Sequence, residues 1–176
     1  PKAYWRAKEY PSLKLISGTD VTMKDHANVT LLASDRASYG LMCRLLTKAH
    51  EGKEKASAEL TLQELCNFAN EEAFKGLFCL PDLKANYALL KELFGKRLYL
   101  PISRFKDGMD EARMRQAESI ALDYEIPFVA TNDVLYHTRT RRSTQDTLVS
   151  IREGTPLFST GFKHLRNGER YLKSPL

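Results

Sequence analysis

Residues 29–50 read VTLLASDRASYGLMCRLLTKAH, and the hydrophobic period changes half-way along. Asn28–Ala33 is a compact apolar run, too short to be a helix by itself. Met42, Leu45, Leu46 and Ala49 then fall at i, i+3, i+4 and i+7, the spacing of one buried helix face. Asp35 stands between the two as an N-cap, its carboxylate placed to take the first free amides of a helix of about 15 residues. A strand handing over to a capped helix is one unit of an alternating α/β fold.

The alternation extends in both directions. Upstream, Leu13–Ile16 reads as a β-like run ended by Ser17-Gly18, with Val21–Met23 as a second short strand. Downstream, Glu51–Glu59 is a charged surface loop. Thr61-Leu62-Gln63-Glu64 fits a capping box ahead of the stripe Leu62, Leu65, Cys66 and Ala69. Gly76–Leu80 is a buried strand closed by Pro81, and a helix from Asp82 to Phe94 stops at Gly95. Leu98–Ile102 is a strand. Asp110–Tyr124 is a helix with Ala117, Ile120, Ala121 and Tyr124 on one face, and Pro127–Thr131 is a further buried strand. A basic helix from Arg141 to Arg152 ends at Gly154. The order implies a largely parallel sheet or barrel covered by helices, over residues 1–154, with 155–176 as a connector. In that class functional side chains gather at the carboxyl ends of strands. The places that qualify are Gly18-Thr19-Asp20, the region after Ala33, Ser103–Phe105 and Asn132-Asp133.

Composition narrows the function classes. The 176 residues are 43% hydrophobic and 10% aromatic, enough for a real core and against wholesale disorder. No apolar run reaches the ~18–20 residues that cross a bilayer. Pro1–Tyr10 is amphipathic and mixed in charge, unlike a secretory signal. Pro1 at the head of a helical pattern (Ala3, Tyr4, Ala7) suggests a piece excised from a longer chain. The three cysteines, Cys43, Cys66 and Cys79, form no CxxC pair and read as reduced, mostly buried residues of a cytoplasmic protein. The net charge of +5 is local: residues 137–176 carry eight basic against three acidic side chains, and the rest is balanced. Such asymmetry suits a face that meets a polyanion.

Asp20 and Asp133 each follow a short apolar run, the context of carboxylates that hold a metal or cap a strand end. A zinc or manganese centre needs about four converging donors, so the two alone do not make a hydrolytic site. His26, His50, His137 and His164 show no HxH or HExxH spacing, and only His137 lies near a candidate position. No GxSxG elbow, GxGxxG or GxxxxGK[ST] is present, which removes the common routes to nucleophilic catalysis and nucleotide binding. Arg139, Arg141 and Arg142 could pair with phosphates through their guanidinium forks, or with a carboxylate of another domain.

Several strings taken together resemble a known family. LKLISGTDVTM (13–23), VTLLASDRASYGLMCRLLTKAH (29–50), LTLQEL (60–65), RLYLPISRF (97–105), IPFVATNDVLYH (126–137), TQDTLVSIREGTPL (144–157) and ERYLKSPL (169–176) are similar to the PHP (polymerase and histidinol phosphatase) domain of bacterial C-family DNA polymerases. The nearest likeness is to the error-prone, translesion branch, similar to the polymerase III alpha subunit. The resemblance implies an α/β fold, a distorted seven-stranded PHP-type (TIM-like) barrel, here lacking its first strand–helix units and their HxH and TDHG-type motifs. It implies a parent DNA-directed polymerase that uses magnesium elsewhere in its chain, with the rest of that chain and DNA as partners.

The family's metal positions carry over one by one. Gly18-Thr19-Asp20 stands where Gly-x-Glu is usual, so Asp20 keeps a shortened carboxylate. Asn28 and Phe105 occupy positions where histidine is usual. Asp133 survives from Asp-x-His, whose histidine position holds Leu135. Phenylalanine and leucine offer a metal nothing. The resemblance therefore implies a vestigial site, Asp20 and Asp133, in a catalytically degenerate domain with a structural role. Two rival readings are an active metal-dependent phosphoesterase using Asp20, Asp133 and His137, and a nucleic-acid or partner-binding module using Arg139, Arg141 and Arg142. An incomplete barrel would leave open strand edges, which favour self-association.

Overall fold

The computed structural model describes residues 2–54 and 57–174. Pro1, Pro175 and Leu176, and Lys55 and Ala56 of the expected 51–59 loop, lie outside the described residues. The chain divides by packing into two compact units, Pro1–Leu100 with Ile120–Pro127, and Pro101–Ser119 with Phe128–Leu176.

The first unit opens with a short helix α1 (Lys2–Ala7) and is built on a three-stranded sheet, β1 (Ser17–Val21), β2 (Val29–Ala33) and β3 (Leu77–Pro81), in that spatial order. Both pairings are antiparallel, with Asp20 opposite Thr30 and Leu31 opposite Cys79. The parallel arrangement expected for these strands is corrected here. The connection over residues 22–28 is too short for a crossover helix, and short connections join antiparallel neighbours. The first strand also sits later than the apolar run suggested. Ser17 pairs with the last residue of β2, Ala33, which leaves Leu13–Ile16 outside the ladder, with Leu13 59% and Ile16 57% exposed. Asp20 therefore lies within a strand instead of following one.

Helix α2 (Arg36–His50) covers this sheet. Asp35 caps it as expected: its Oδ1 accepts the Ser38 amide at 2.8 Å, and the Ser38 hydroxyl returns to the Asp35 backbone. The buried stripe is Ser38, Leu41, Met42, Leu45 and Ala49, with Leu46 half-buried at its margin. Gly76 permits the close approach at the helix start, because a Cβ there would lie 2.6 Å from Asp35 Oδ2 and 2.8 Å from Ser38 Cβ. Helix α3 (Leu62–Asn67) carries the predicted Thr61–Glu64 capping box. Helix α4 (Tyr87–Phe94) begins at Tyr87 and not at Asp82. Residues 82–86 are spent on other bonds: Asp82 N–H to the Asn28 carbonyl, Ala85 N–H to the Asp82 carbonyl, and Asn86 as the N-cap.

Leu31, Leu60, Leu65, Leu77, Cys79, Leu90 and Leu98 are fully buried, and the Phe74 and Phe94 rings meet at 5.0 Å. Arg97 donates to the carbonyls of Phe74, Leu77 and Leu93 and lies over both rings, so its charge is held among oxygens at the core's edge. Of the cysteines, all free, only Cys79 is buried; Cys66 is half-buried and Cys43 exposed, because Cys43 faces away from the α2 stripe.

A second sheet pairs β4 (Leu100–Ile102) with β5 (Phe128–Ala130). The expected burial of β5 does not hold: Phe128 is 46% exposed and Val129 half-buried, since β4 is its only partner among the described strands. Helix α5 (Asp110–Tyr124) has Ala117 fully buried and belongs to the second unit as far as Ser119. Helix α6 (Arg142–Glu153) ends at Gly154, whose φ of 63° supplies the left-handed C-cap.

Residues 155–174, read from the sequence as a connector, are tied throughout to the second unit. Thr160 is buried against Ser150, Asn167 Nδ2 donates to the Phe105 carbonyl at 2.6 Å, and Tyr171 bridges Tyr136. No helix among the described residues is long and apolar enough to cross a membrane.

Candidate functional site

Asp20 belongs to the first unit, and Phe105, Asp133 and Leu135 to the second. On β1, Asp20 is exposed and its Oδ1 accepts the hydroxyl of its cross-strand neighbour Thr30 at 2.5 Å. Asp82 is close by: burial, aided by the Asp20 charge, raises its carboxyl above the ordinary range. Asn28 Oδ1 accepts the Met23 amide at 3.0 Å, so its side chain ties the β1–β2 connection. His26 is bound on both nitrogens, Nδ1 donating to the Ala27 carbonyl and Nε2 accepting the Asn86 amide. Through these two bonds the ring ties the β1–β2 connection to the start of α4.

In the second unit the candidate positions gather around a stack. Phe105, half-buried, has the Arg170 guanidinium 4.4 Å and the Arg113 guanidinium 5.1 Å from its ring centre. Each cation has its own carboxylates. Arg113 bonds both oxygens of Asp107, at 3.0 and 2.7 Å, and Asp110 at 2.5 Å. Arg170 donates to Asp133. Asp110, the first residue of α5, also accepts the amides of Phe105 and Lys106, each at 2.9 Å, and so fixes the turn that leads into the helix. Asp133 itself sits in the left-handed region at φ 42°, which Asp tolerates better than most residues.

The electrostatics follow from these contacts. The Arg113 guanidinium holds the Asp107 carboxyl at about 2. Burial pushes the Asp110 carboxyl up, but the Phe105 and Lys106 amides and Arg113 outweigh it and leave it lowered. Burial and the like charge of Arg113 lower Arg170, against the pull of Asp107.

This donor set does not fit a metal. Phe105 offers a ring and Asp133 is already neutralised by Arg170. Leu135 is 41% exposed, and its backbone amide donates to the Arg170 carbonyl. Among the described residues no three His, Cys, Asp or Glu side chains form a metal-binding group. Sequence reasoning singled out Phe105 and Asp133 but missed Arg113, Arg170 and Glu169. The available signal was Asp107 and Asp110 flanking a helix start, with a cation one turn on at Arg113.

The basic cluster is partly spoken for. Arg139 Nη2 lies 3.4 Å from Glu169, and Arg142 donates to the Leu165 carbonyl at 2.6 Å and pairs with Asp146. Arg141 is exposed. His137 is exposed as well, and His164 meets the Ser150 hydroxyl at 3.2 Å.

No family model matches the chain. Individual proteins do, along nearly its whole length. An error-prone DNA polymerase of Mesorhizobium japonicum is 36% identical over 176 residues, which is 95% of this chain and 15% of that protein. One from Pseudomonas paraeruginosa is 32% identical over 98% of this chain and 17% of its own length. This chain is related to the error-prone DNA polymerases. A third such relative, error-prone DNA polymerase 1 of Agrobacterium fabrum, is 30% identical over 99% of this chain. The chain thus spans about one sixth, 15–17%, of the error-prone polymerases it matches.

Proposed function

We propose that this chain is part of an error-prone DNA-directed DNA polymerase of the bacterial cytoplasm, and that within it the chain forms a degenerate PHP-type domain with a structural role. Relatives named for the polymerase activity, matched along nearly the whole chain, support the first half. The single observation that carries the second is the Arg113–Phe105–Arg170 stack with Asp133 paired to Arg170. A metal centre would need converging anions and lone pairs; here Phe105 offers a ring, and the carboxylates of Asp107, Asp110 and Asp133 are paired with Arg113 and Arg170. Nucleotide addition, with its magnesium, belongs on this reading to other parts of the longer polypeptide.

The test uses the polypeptide extended to the length of its relatives. Magnesium-dependent primer extension is expected, with no stoichiometric zinc or manganese in the purified 176-residue portion and no phosphodiesterase turnover by it. Tightly bound metal accompanied by turnover, abolished by Asp133→Asn, would overturn the structural reading.

A further inference from the structure

Glu169 is 3% exposed, yet its carboxylate is shared by three cations arriving from separate stretches of the second unit. Lys173 Nζ lies 3.3 Å and Lys106 Nζ 3.8 Å from Oε2, and Arg139 Nη2 lies 3.4 Å from Oε1. The anion is inside and the cations are outside: their side chains are 37%, 69% and 67% exposed respectively. Gly168 helps to build the cluster, because a Cβ there would lie 3.0 Å from Arg139 Cγ and displace the arginine stem. Lys173 above all, against the opposing effect of burial, keeps the Glu169 carboxyl below its ordinary range, so the anchor is ionised at neutral pH.

One carboxylate balances the charge of only one of the three cations. The separations exceed the ~2.7–2.9 Å of a full charge-assisted hydrogen bond, and two positive charges remain in excess and repel one another. An external anion bridging the cations would relieve that repulsion. We infer that Lys106, Arg139 and Lys173, gathered on Glu169, form a binding surface for the phosphodiester backbone of nucleic acid. The surrounding sequence fits such a partner, since the excess charge of the chain is confined to residues 137–176. This surface differs from the Arg139–Arg142 cluster suggested by the sequence: Lys106 and Lys173 join it, and Arg142 is engaged elsewhere. The choice of DNA over RNA as the probe rests on the polymerase reading; the phosphate chemistry does not.

The experiment is fluorescence anisotropy of a fluorescein-labelled DNA duplex titrated with the 176-residue chain between 50 and 200 mM salt. Each phosphate contact contributes about 0.9 to the slope of log K against log salt, so the triple variant Lys106→Gln, Arg139→Gln, Lys173→Gln is expected to lower that slope by about 2–3 and the affinity at least tenfold. Circular dichroism checks that this variant is folded, and the single variants, each expected to lower the slope by about 1, stand in if it is not. Lys163→Gln removes one charge from the Glu153 pair in the same unit and is expected to leave the slope unchanged. No binding by the unaltered chain, an unchanged slope in the variants, or an equal loss in Lys163→Gln would each overturn the inference. Primer extension that persists in the longer polypeptide under those outcomes would show that the surface alone had failed.

Discussion

At the residue scale the informative position is Phe105. Two guanidiniums lie 5.1 and 4.4 Å from its ring centre, each with carboxylates of its own, so one side chain gathers charges from three stretches of the second unit. Cation–π contacts contribute about 0.5–1 kcal/mol each, and the ring is half-buried, so Phe105→Ala is expected to cost about 1–2 kcal/mol in urea unfolding. Phe105→Leu keeps most of the apolar area but not the ring face, and should fall between. Acid is the second probe of this cluster. Asp107 titrates at about 2 in the folded chain instead of near 3.8. Its contribution is therefore fully present above pH 3.8 and lost as the pH falls through about 2. Arg113→Ala removes the cause, so it should move acid unfolding, followed by circular dichroism, to higher pH. An unmoved acid midpoint would show that the pair contributes nothing.

Secondary-structure elements differ in how openly they declare themselves. α2, α3 and α5 were legible because capping and apolar spacing are local: Asp35 and Thr61 accept amides only three residues away. The start of α4 was not, because Asp82–Asn86 is held by bonds to Asn28 and His26 that no local pattern announces. β1 was misplaced for the same reason, its ends being set by pairing to β2 and not by its own hydrophobicity. The join between α2 and the turn before β3 gives an element-scale prediction. Gly76→Ala places a methyl group against Asp35 and Ser38, which must shift, at a cost of about 1–3 kcal/mol by chemical denaturation. Asp35→Ala should lower the same midpoint by removing the cap, and the double variant should lose less than the two changes added, since removing Asp35 frees part of the space.

On the scale of the whole molecule, the cysteines offer a reading of how the first unit opens. Cys43 is exposed, Cys66 half-buried, and Cys79 wholly buried with its thiol pushed up to about 12 by burial. With a thiol reagent at pH 8, Cys43 should react at once and Cys79 only as the core opens, at a rate that rises with urea in step with global unfolding. Prompt labelling of Cys79 would mean that this core opens without denaturant. By itself the sequence determined the strand–helix character, the capped helices, the confinement of excess charge to residues 137–176 and the kinship with error-prone polymerases, because all of these are written in local spacing and composition. Only the tertiary structure decided that β1, β2 and β3 run antiparallel, that residues 155–174 pack into the second unit, and that Phe105 and Asp133 share Arg170. Each of these depends on which distant residue supplies a partner. Arg170 stands 37 positions from Asp133, and Lys106 is more remote still from Glu169 in the chain, so no periodicity in either segment could have paired them.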